Sequence, residues 1–225
     1  MRFRAQQLQQ LRAELIKWWK IHGREFPWRK TKDPYKILIA EILLHRTKAD
    51  QVTPIYFRFI REFPTMLDLA KSSRDRIVTL VRPLGLRWRA ELLHSMSQKV
   101  VNSTGGQIIA HKDWFLSLPG VSDYIASAVM CFAFDKPEPL LDTNTVRIIG
   151  RIFGVKVTDS SRRSRRFREL YSYLMDKNRP REFNLAMIDL GALICRPRRP
   201  SCEICPLRKY CLYCSNNVKK RKHYA

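Results

Sequence analysis

The sequence predicts an all-α protein, and three observations carry that reading. Apolar residues recur at helical spacing, no segment shows the alternation of a half-buried strand, and proline, glycine and capping residues punctuate the chain where helices would start and stop.

Residues 5–22 place Leu8, Leu11, Leu15, Trp18 and Trp19 near one face of an amphipathic helix. Asp33-Pro34 pairs an N-cap with proline at the first helical position, so a helix starts there and runs to Leu44. That helix is apolar almost all round and is expected to be buried. Another spans 51–63 and stops at Pro64. Short helical segments follow at 66–70, 74–81 and 89–101, broken by Pro83, Gly85 and the Gly105-Gly106 pair.

Residues 114–151 form the stretch around which the chain is organised. A short apolar helix over 114–118 cannot continue through Pro119, Gly120 takes up backbone angles closed to other residues, and Asp123 caps an apolar helix over 124–134. The hairpin directs backbone N–H groups outward beside a helix N-terminus, which suits a phosphate. Asp142 opens the next helix, 143–153, which Gly154 closes. The basic run 162–168 reads as a solvated face leading into a helix that ends at Met175. A last apolar helix, 184–194, leads into a group of cysteines, and 219–222 reads as a disordered basic end.

Apolar residues make up 45% of the chain, enough for a packed core. Lys and Arg number 43 against 20 Asp and Glu, and the resulting net charge of +23 suits a polyanion, with nucleic acid the first candidate. No apolar run is long enough to span a membrane and the N-terminus lacks a signal-peptide block, so an intracellular protein of the cytoplasm or nucleoid, with no membrane partner, is expected.

Six cysteines in such a protein point to metal or catalysis before disulfides. Four follow the spacing Cys195-x6-Cys202-x2-Cys205-x5-Cys211. A loop this compact can enclose a metal centre, and structural zinc and an iron-sulfur cluster both fit the spacing. Cys131 reads as a small core residue, and Cys214 falls outside the pattern.

With these residues in view, the chain resembles the endonuclease III superfamily of helix-hairpin-helix DNA glycosylases. The resemblance rests on PWRKTKDPYKILIAEILLHRT (27–47), LPGVSDYIASAVMCFAF (118–134), LDTNTVRIIGR (141–151) and the cysteine loop 195–211. It implies two helical domains with the active site in the cleft between them. One is a six-helix barrel over 29–135 containing the helix-hairpin-helix at 113–134. The other is discontinuous, 1–28 plus 136–225, and carries the iron-sulfur loop. It also moves the metal reading from zinc to a 4Fe-4S cluster. One departure is that the usual second glycine of the hairpin is Ser122, which would be strained if that position required a positive φ.

Within the superfamily, the resemblance places the residue that separates the chemistries at position 124. Members that also cut the backbone carry a lysine there for Schiff-base formation. Tyr124 has no amine, which implies a monofunctional enzyme. Adenine glycosylases of the MutY-like branch typically have serine, and thymine-mismatch glycosylases have tyrosine. AEILLHRT and PLGLRWRAELL also resemble the latter. The implied function is excision of thymine, and uracil, opposite guanine in double-stranded DNA by a monomer acting in base excision repair. The rivals are an adenine glycosylase acting opposite 8-oxoguanine or guanine and a non-catalytic DNA-binding protein with a structural metal loop. Against the adenine reading stand Tyr124 and the few residues after the cysteines, too few for a further domain that would read 8-oxoguanine.

The same resemblance assigns candidate roles residue by residue. Asp142 matches the catalytic aspartate that stabilises an oxocarbenium ion and positions or deprotonates water, a role compatible with its N-cap position. Glu41 matches the position of an acid that donates a proton or holds water. Tyr124 belongs to the pocket. Gly120, Val121 and Ser122 form the phosphate-holding hairpin. Arg46 and Leu86 match positions whose side chains enter the duplex, one contacting the orphan base and the other acting as a wedge. Cys195, Cys202, Cys205 and Cys211 are the cluster ligands. His45 and Asp189 are read as structural.

Overall fold

Helix boundaries in the computed structural model follow the local signals closely. The structure describes residues 3–85 and 88–216, and among them there are α-helices, including a helical turn at 212–216, several short 3-10 turns and no strand. The helices are α1 (Ala5–His22), α2 (Pro34–Leu44), α3 (Ala49–Glu62), α4 (Met66–Lys71), α5 (Arg74–Val81), α6 (Trp88–Thr104), α7 (Lys112–Leu116), α8 (Asp123–Phe134), α9 (Thr143–Phe153), α10 (Arg165–Leu174) and α11 (Pro180–Leu193). Among the described residues, no helix is long and apolar enough to cross a membrane. Leu86 and the basic segment 219–222 lie outside the described residues.

The chain divides into two compact units, one formed by Met1–Arg24 with Pro137–Ala225 and the other by Glu25–Lys136. In the second unit α2 is the buried centre. Asp33 caps it, its Oδ1 accepting from the Tyr35 and Lys36 amides at 2.9 and 3.2 Å, and every residue from Ile37 to Leu43 is buried. It packs on α3 and α8, while α4 and α5 pack on α6. Tyr35 ties the helix to the end of α3 by donating to the Phe63 carbonyl at 2.7 Å, and burial pushes its phenol well above the ordinary value.

The first unit is assembled from α1, α9, α10 and α11 around one apolar core that includes Leu11, Leu15, Ile149, Tyr171, Phe183 and Leu190. Asp189 of α11 is fully buried there. Its carboxylate accepts from the Trp19 indole at 3.1 Å and from the Arg24 amide and Nε at 2.9 and 2.7 Å, so it pins the end of α1 to α11.

Several boundaries differ from the sequence expectation: α7, expected over 114–118, spans Lys112–Leu116, and α6, expected over 89–101, spans Trp88–Thr104. The N-cap of α8 is Ser122, with Asp123 the first helical residue, because Ser122 has the extended backbone of a cap and its hydroxyl accepts from the Ile125 amide at 3.3 Å. Helix α3 starts two residues before Gln51 and keeps Pro54 inside it. Helix α11 starts at Pro180, a proline at the first turn, four residues before Asn184. Helix α10 starts at Arg165, since Arg162 and Arg163 belong to a 3-10 turn.

The buried Asp189 leads to a direct expectation. Asp189→Ala, which removes the buried acceptor of the Arg24 guanidinium and the Trp19 N–H, is expected to lower unfolding free energy by about 3 kcal/mol. Glu169→Ala, which breaks the exposed pair with Arg165 at 2.8 Å, is expected to leave the urea midpoint unchanged.

Candidate functional site

The hairpin between α7 and α8 turns at Gly120, which has φ of 77°, and a Cβ added there would lie 2.6 Å from the Leu92 side chain. Position 120 therefore favours glycine for its backbone, and a larger residue there would also oblige the Leu92 side chain to move. The Val121 amide donates back to the Leu118 carbonyl at 3.2 Å, Lys99 Nζ donates to the Ser117 carbonyl at 2.6 Å, and Lys112 pairs with Asp123 at 3.2 Å. Ser122 has φ of −80°, so serine carries no backbone strain in place of the second glycine and adds a cap in its stead. The two residues after Ser122 bring the chain to Tyr124, half-buried in the first turn of α8.

Glu41 is buried, 8% exposed, in the middle of α2, the helix that packs on α8. Glu41 and Tyr124 thus ride on two packed helices of one unit. Arg46 is exposed in the turn after α2 and holds φ of 60°, in the left-handed region.

Asp142 belongs to the other unit and is the N-cap of α9. Its Oδ1 accepts from the Thr145 amide at 2.7 Å, its Oδ2 accepts from Asn144 Nδ2 at 2.9 Å, and its own amide donates to Thr145 Oγ1 at 2.9 Å. The carboxylate is half-buried and fixed in direction by two donors from the first turn. Asn144 is itself oriented by Arg147, whose Nη2 donates to Asn144 Oδ1 at 2.8 Å. Arg147 also donates to the carbonyls of Cys195 at 2.7 Å and Gly191 at 2.8 Å. One turn further along α9, Arg151 donates to Cys195 Sγ at 3.1 Å and to the carbonyls of Arg196 and Pro197. Asn144, Arg147 and Arg151 were not picked out from the sequence. The available signal was the pair of arginines four apart on one face of the helix that Asp142 opens.

Cys195, Cys202, Cys205 and Cys211 line one pocket, walled on its apolar side by Ile148, Ile152, Leu190, Ile194 and Leu207. Cys214 lines it too and meets the thiols of Cys202 and Cys211. Cys131 is a fully buried core residue of α8. Among the described residues no three His, Cys, Asp or Glu side chains converge closely enough for a single metal ion. The four cysteines instead share one pocket whose lining is otherwise mostly apolar. Burial, with the neighbouring thiols adding to it, pushes the Cys205 thiol up to about 12, and burial pushes Cys211 in the same direction. Four thiolates held here therefore need a cationic centre to offset them.

Residues 39–172, from inside α2 into α10, match the HhH-GPD superfamily of base excision DNA repair proteins. The chain belongs to that superfamily. Residues 195–211 match the iron-sulfur binding domain of endonuclease III. The chain is 39% identical over 202 residues to a thymine/uracil-DNA glycosylase of Methanothermobacter thermautotrophicus, covering 89% of this chain and 91% of that one. The structure of a thermostable thymine-DNA glycosylase superposes with a TM-score of 0.88 at 36% identity, covering 94% of this chain and 98% of that one. An adenine DNA glycosylase of Rattus norvegicus is 32% identical over 210 residues, which are 89% of this chain and 41% of that protein. The all-α HhH-GPD fold with an iron-sulfur loop is thus established for the chain.

The hairpin geometry sets a measurable expectation. Ser122→Ala removes the cap acceptor and is expected to cost about 1 kcal/mol, whereas Ser122→Gly, which restores the superfamily's usual residue, costs only a few tenths. Thermal unfolding midpoints of the two variants measured side by side check the difference.

Proposed function

We propose that this chain is a monofunctional DNA glycosylase that removes thymine, and uracil, mispaired with guanine in double-stranded DNA by hydrolysing the N-glycosidic bond, as a step of base excision repair. The observation that carries this reading is an aspartate carboxylate aimed by two first-turn donors at the head of α9, in a chain whose hairpin delivers a tyrosine, and not a lysine, to the start of α8.

The chemistry follows from those groups. Breaking the bond leaves positive charge on the sugar, and the Asp142 carboxylate supplies the opposite charge in a direction fixed before substrate arrives. Water is the nucleophile, because Tyr124 has no amine with which to form a Schiff base. Glu41, buried in α2, holds that water or hands a proton to the departing base. Gly120, Val121 and Ser122 form the turn that meets a backbone phosphate, with the Val121 amide kept inside the turn by the Leu118 carbonyl. The base leaves the stack to be reached, Arg46 meets the partner base left behind, and Leu86 is the wedge.

The four cysteines fit a 4Fe-4S cluster: their thiols surround a common cavity with an apolar wall, and two arginines of α9 anchor the loop beside it. A cluster held there would supply a tie among four thiolates that fixes the C-terminal loop. The enzyme acts as a monomer inside the cell.

Duplexes containing G:T, G:U, A:G or A:8-oxoguanine, incubated with the protein and then treated with alkali, test the reading. Strand breaks are expected at the mismatched thymine and uracil, and only after alkali. Excision of adenine alone, or breaks without alkali, would overturn it. Asp142→Asn keeps the cap and loses the charge, and single-turnover excision is expected to fall by about 10² or more. Glu41→Gln is expected to lose a similar factor, about 10², with duplex affinity retained in a gel-shift titration.

A further inference from the structure

The exposed turn that carries Arg46 is built on a buried cation. Arg89, the second residue of α6, is fully buried. Its guanidinium donates to the Leu43 carbonyl at 3.0 Å, to the His45 carbonyl and to Thr47 Oγ1 at 2.8 Å. Among the described residues it pairs with no carboxylate, and its Nε has no hydrogen-bond partner. Burial alone holds its pKa below the ordinary guanidinium value. A cation kept in the interior without a counter-ion is costly, and all three acceptors that offset the cost belong to one five-residue segment, the last turn of α2 and the residues after it.

Arg46 sits in the middle of that segment at φ of 60°, one of three non-glycine residues with positive φ among those described. On the solvent side, the His45 ring stands edge-on to the ring of Trp88, 5.6 Å between centroids at 79°, and Trp88 is 38% exposed. The Arg89 guanidinium lies 5.9 Å from that same indole. The turn is therefore gripped on both sides of Arg46, at residues 43, 45 and 47, by one planar fork. A lysine ammonium at position 89 presents one nitrogen and cannot span three acceptors in this arrangement.

We infer that Arg89 is a positioning residue that fixes Arg46 in its left-handed, outward conformation, so that the Arg46 side chain meets the orphan base of a mismatch without first having to be ordered. This rests on the proposed role of Arg46. Ordering the turn during folding instead of during binding makes discrimination between mismatched and matched DNA depend on a residue that touches no DNA.

The test uses the full chain and three readouts: amide hydrogen exchange at 44–48, the ratio of dissociation constants for matched and G:T duplexes, and the double variant. In Arg89→Lys, exchange at 44–48 is expected to accelerate by about tenfold while α8 and α9 keep their protection. The discrimination ratio is expected to fall to that of Arg46→Ala, and Arg46→Ala with Arg89→Lys together is expected to be no worse than Arg46→Ala alone. Thr47→Ala, which removes one acceptor and leaves the core intact, is expected to move all three readouts in the same direction by less, and it decides the matter if Arg89→Lys does not fold. Unchanged exchange at 44–48 in the folded variants, or losses that add in the double variant, would overturn the inference. Faster exchange together with full discrimination in Arg46→Ala would refute it on the other ground, by removing the role of Arg46 while leaving Arg89 as an anchor of the turn.

Discussion

Arg147 is the side chain on which the architecture of the first unit turns. Its guanidinium reaches the start of α9 through Asn144 and the Thr143 carbonyl, the end of α11 through the Gly191 carbonyl, and the cysteine loop through the Cys195 carbonyl. The reach is possible because α11 lies close to α9 at Gly191. A Cβ there would stand 2.5 Å from Cβ of Asn144, so any larger residue would push the helices apart and take the acceptor out of range. The Asp142 carboxylate, the Asn144 amide, the Arg147 guanidinium and the Cys195 carbonyl form an unbroken sequence of hydrogen bonds. Arg147 therefore links the aspartate, which the Thr145 amide also holds, to the entry of the cysteine loop.

The cysteine loop is built into the core and is not an appendage to it. Ile148, Ile152, Leu190, Ile194 and Leu207 wall the cavity and also belong to the apolar core of α1, α9, α10 and α11. On the proposed reading, metal binding and folding of this unit are one equilibrium, because apolar groups packed against the thiols gain their full burial only when the loop is closed. Arg151 and Arg147 act from the polar side of the same helix on the loop's first cysteine, so α9 faces the loop with both its apolar and its cationic residues.

How much of this was legible in the sequence depends on whether the cause was local. Asp33-Pro34, Asp142 and Gly154 marked their helix ends correctly because cap and capped amides lie within a few residues. Ser122-Asp123 offered two adjacent capping residues, and only the backbone angles decide between them. The start of α11 was missed because Arg179, its N-cap, makes no side-chain cap bond. The candidate site divides in the same way. The hairpin, Asp142 and the cysteine spacing are contiguous motifs. Arg89 and Arg147 were not singled out, since the contacts that tie them to other elements reach main-chain carbonyls more than 40 residues away, and no pattern of residue types announces a carbonyl acceptor.

Taken with the proposed function, these observations explain why a tyrosine at position 124 suffices. A lysine nucleophile must lose its proton before it can attack, and a covalent intermediate then commits the enzyme to cutting the strand. A carboxylate held by Thr145 and Asn144 needs neither. It acts through charge on a bond that is already breaking, and the protein's remaining task is to bring water and keep the sugar in place. Within the unit that carries Tyr124, three elements are fixed: a turn at Gly120 with positive φ, a serine cap that starts α8 without strain, and a helix, α2, whose residues from Ile37 to Leu43 are all buried. On the proposed reading, then, the hydrolytic step asks for no amine at position 124, and a half-buried aromatic ring in the first turn of α8 can stand there.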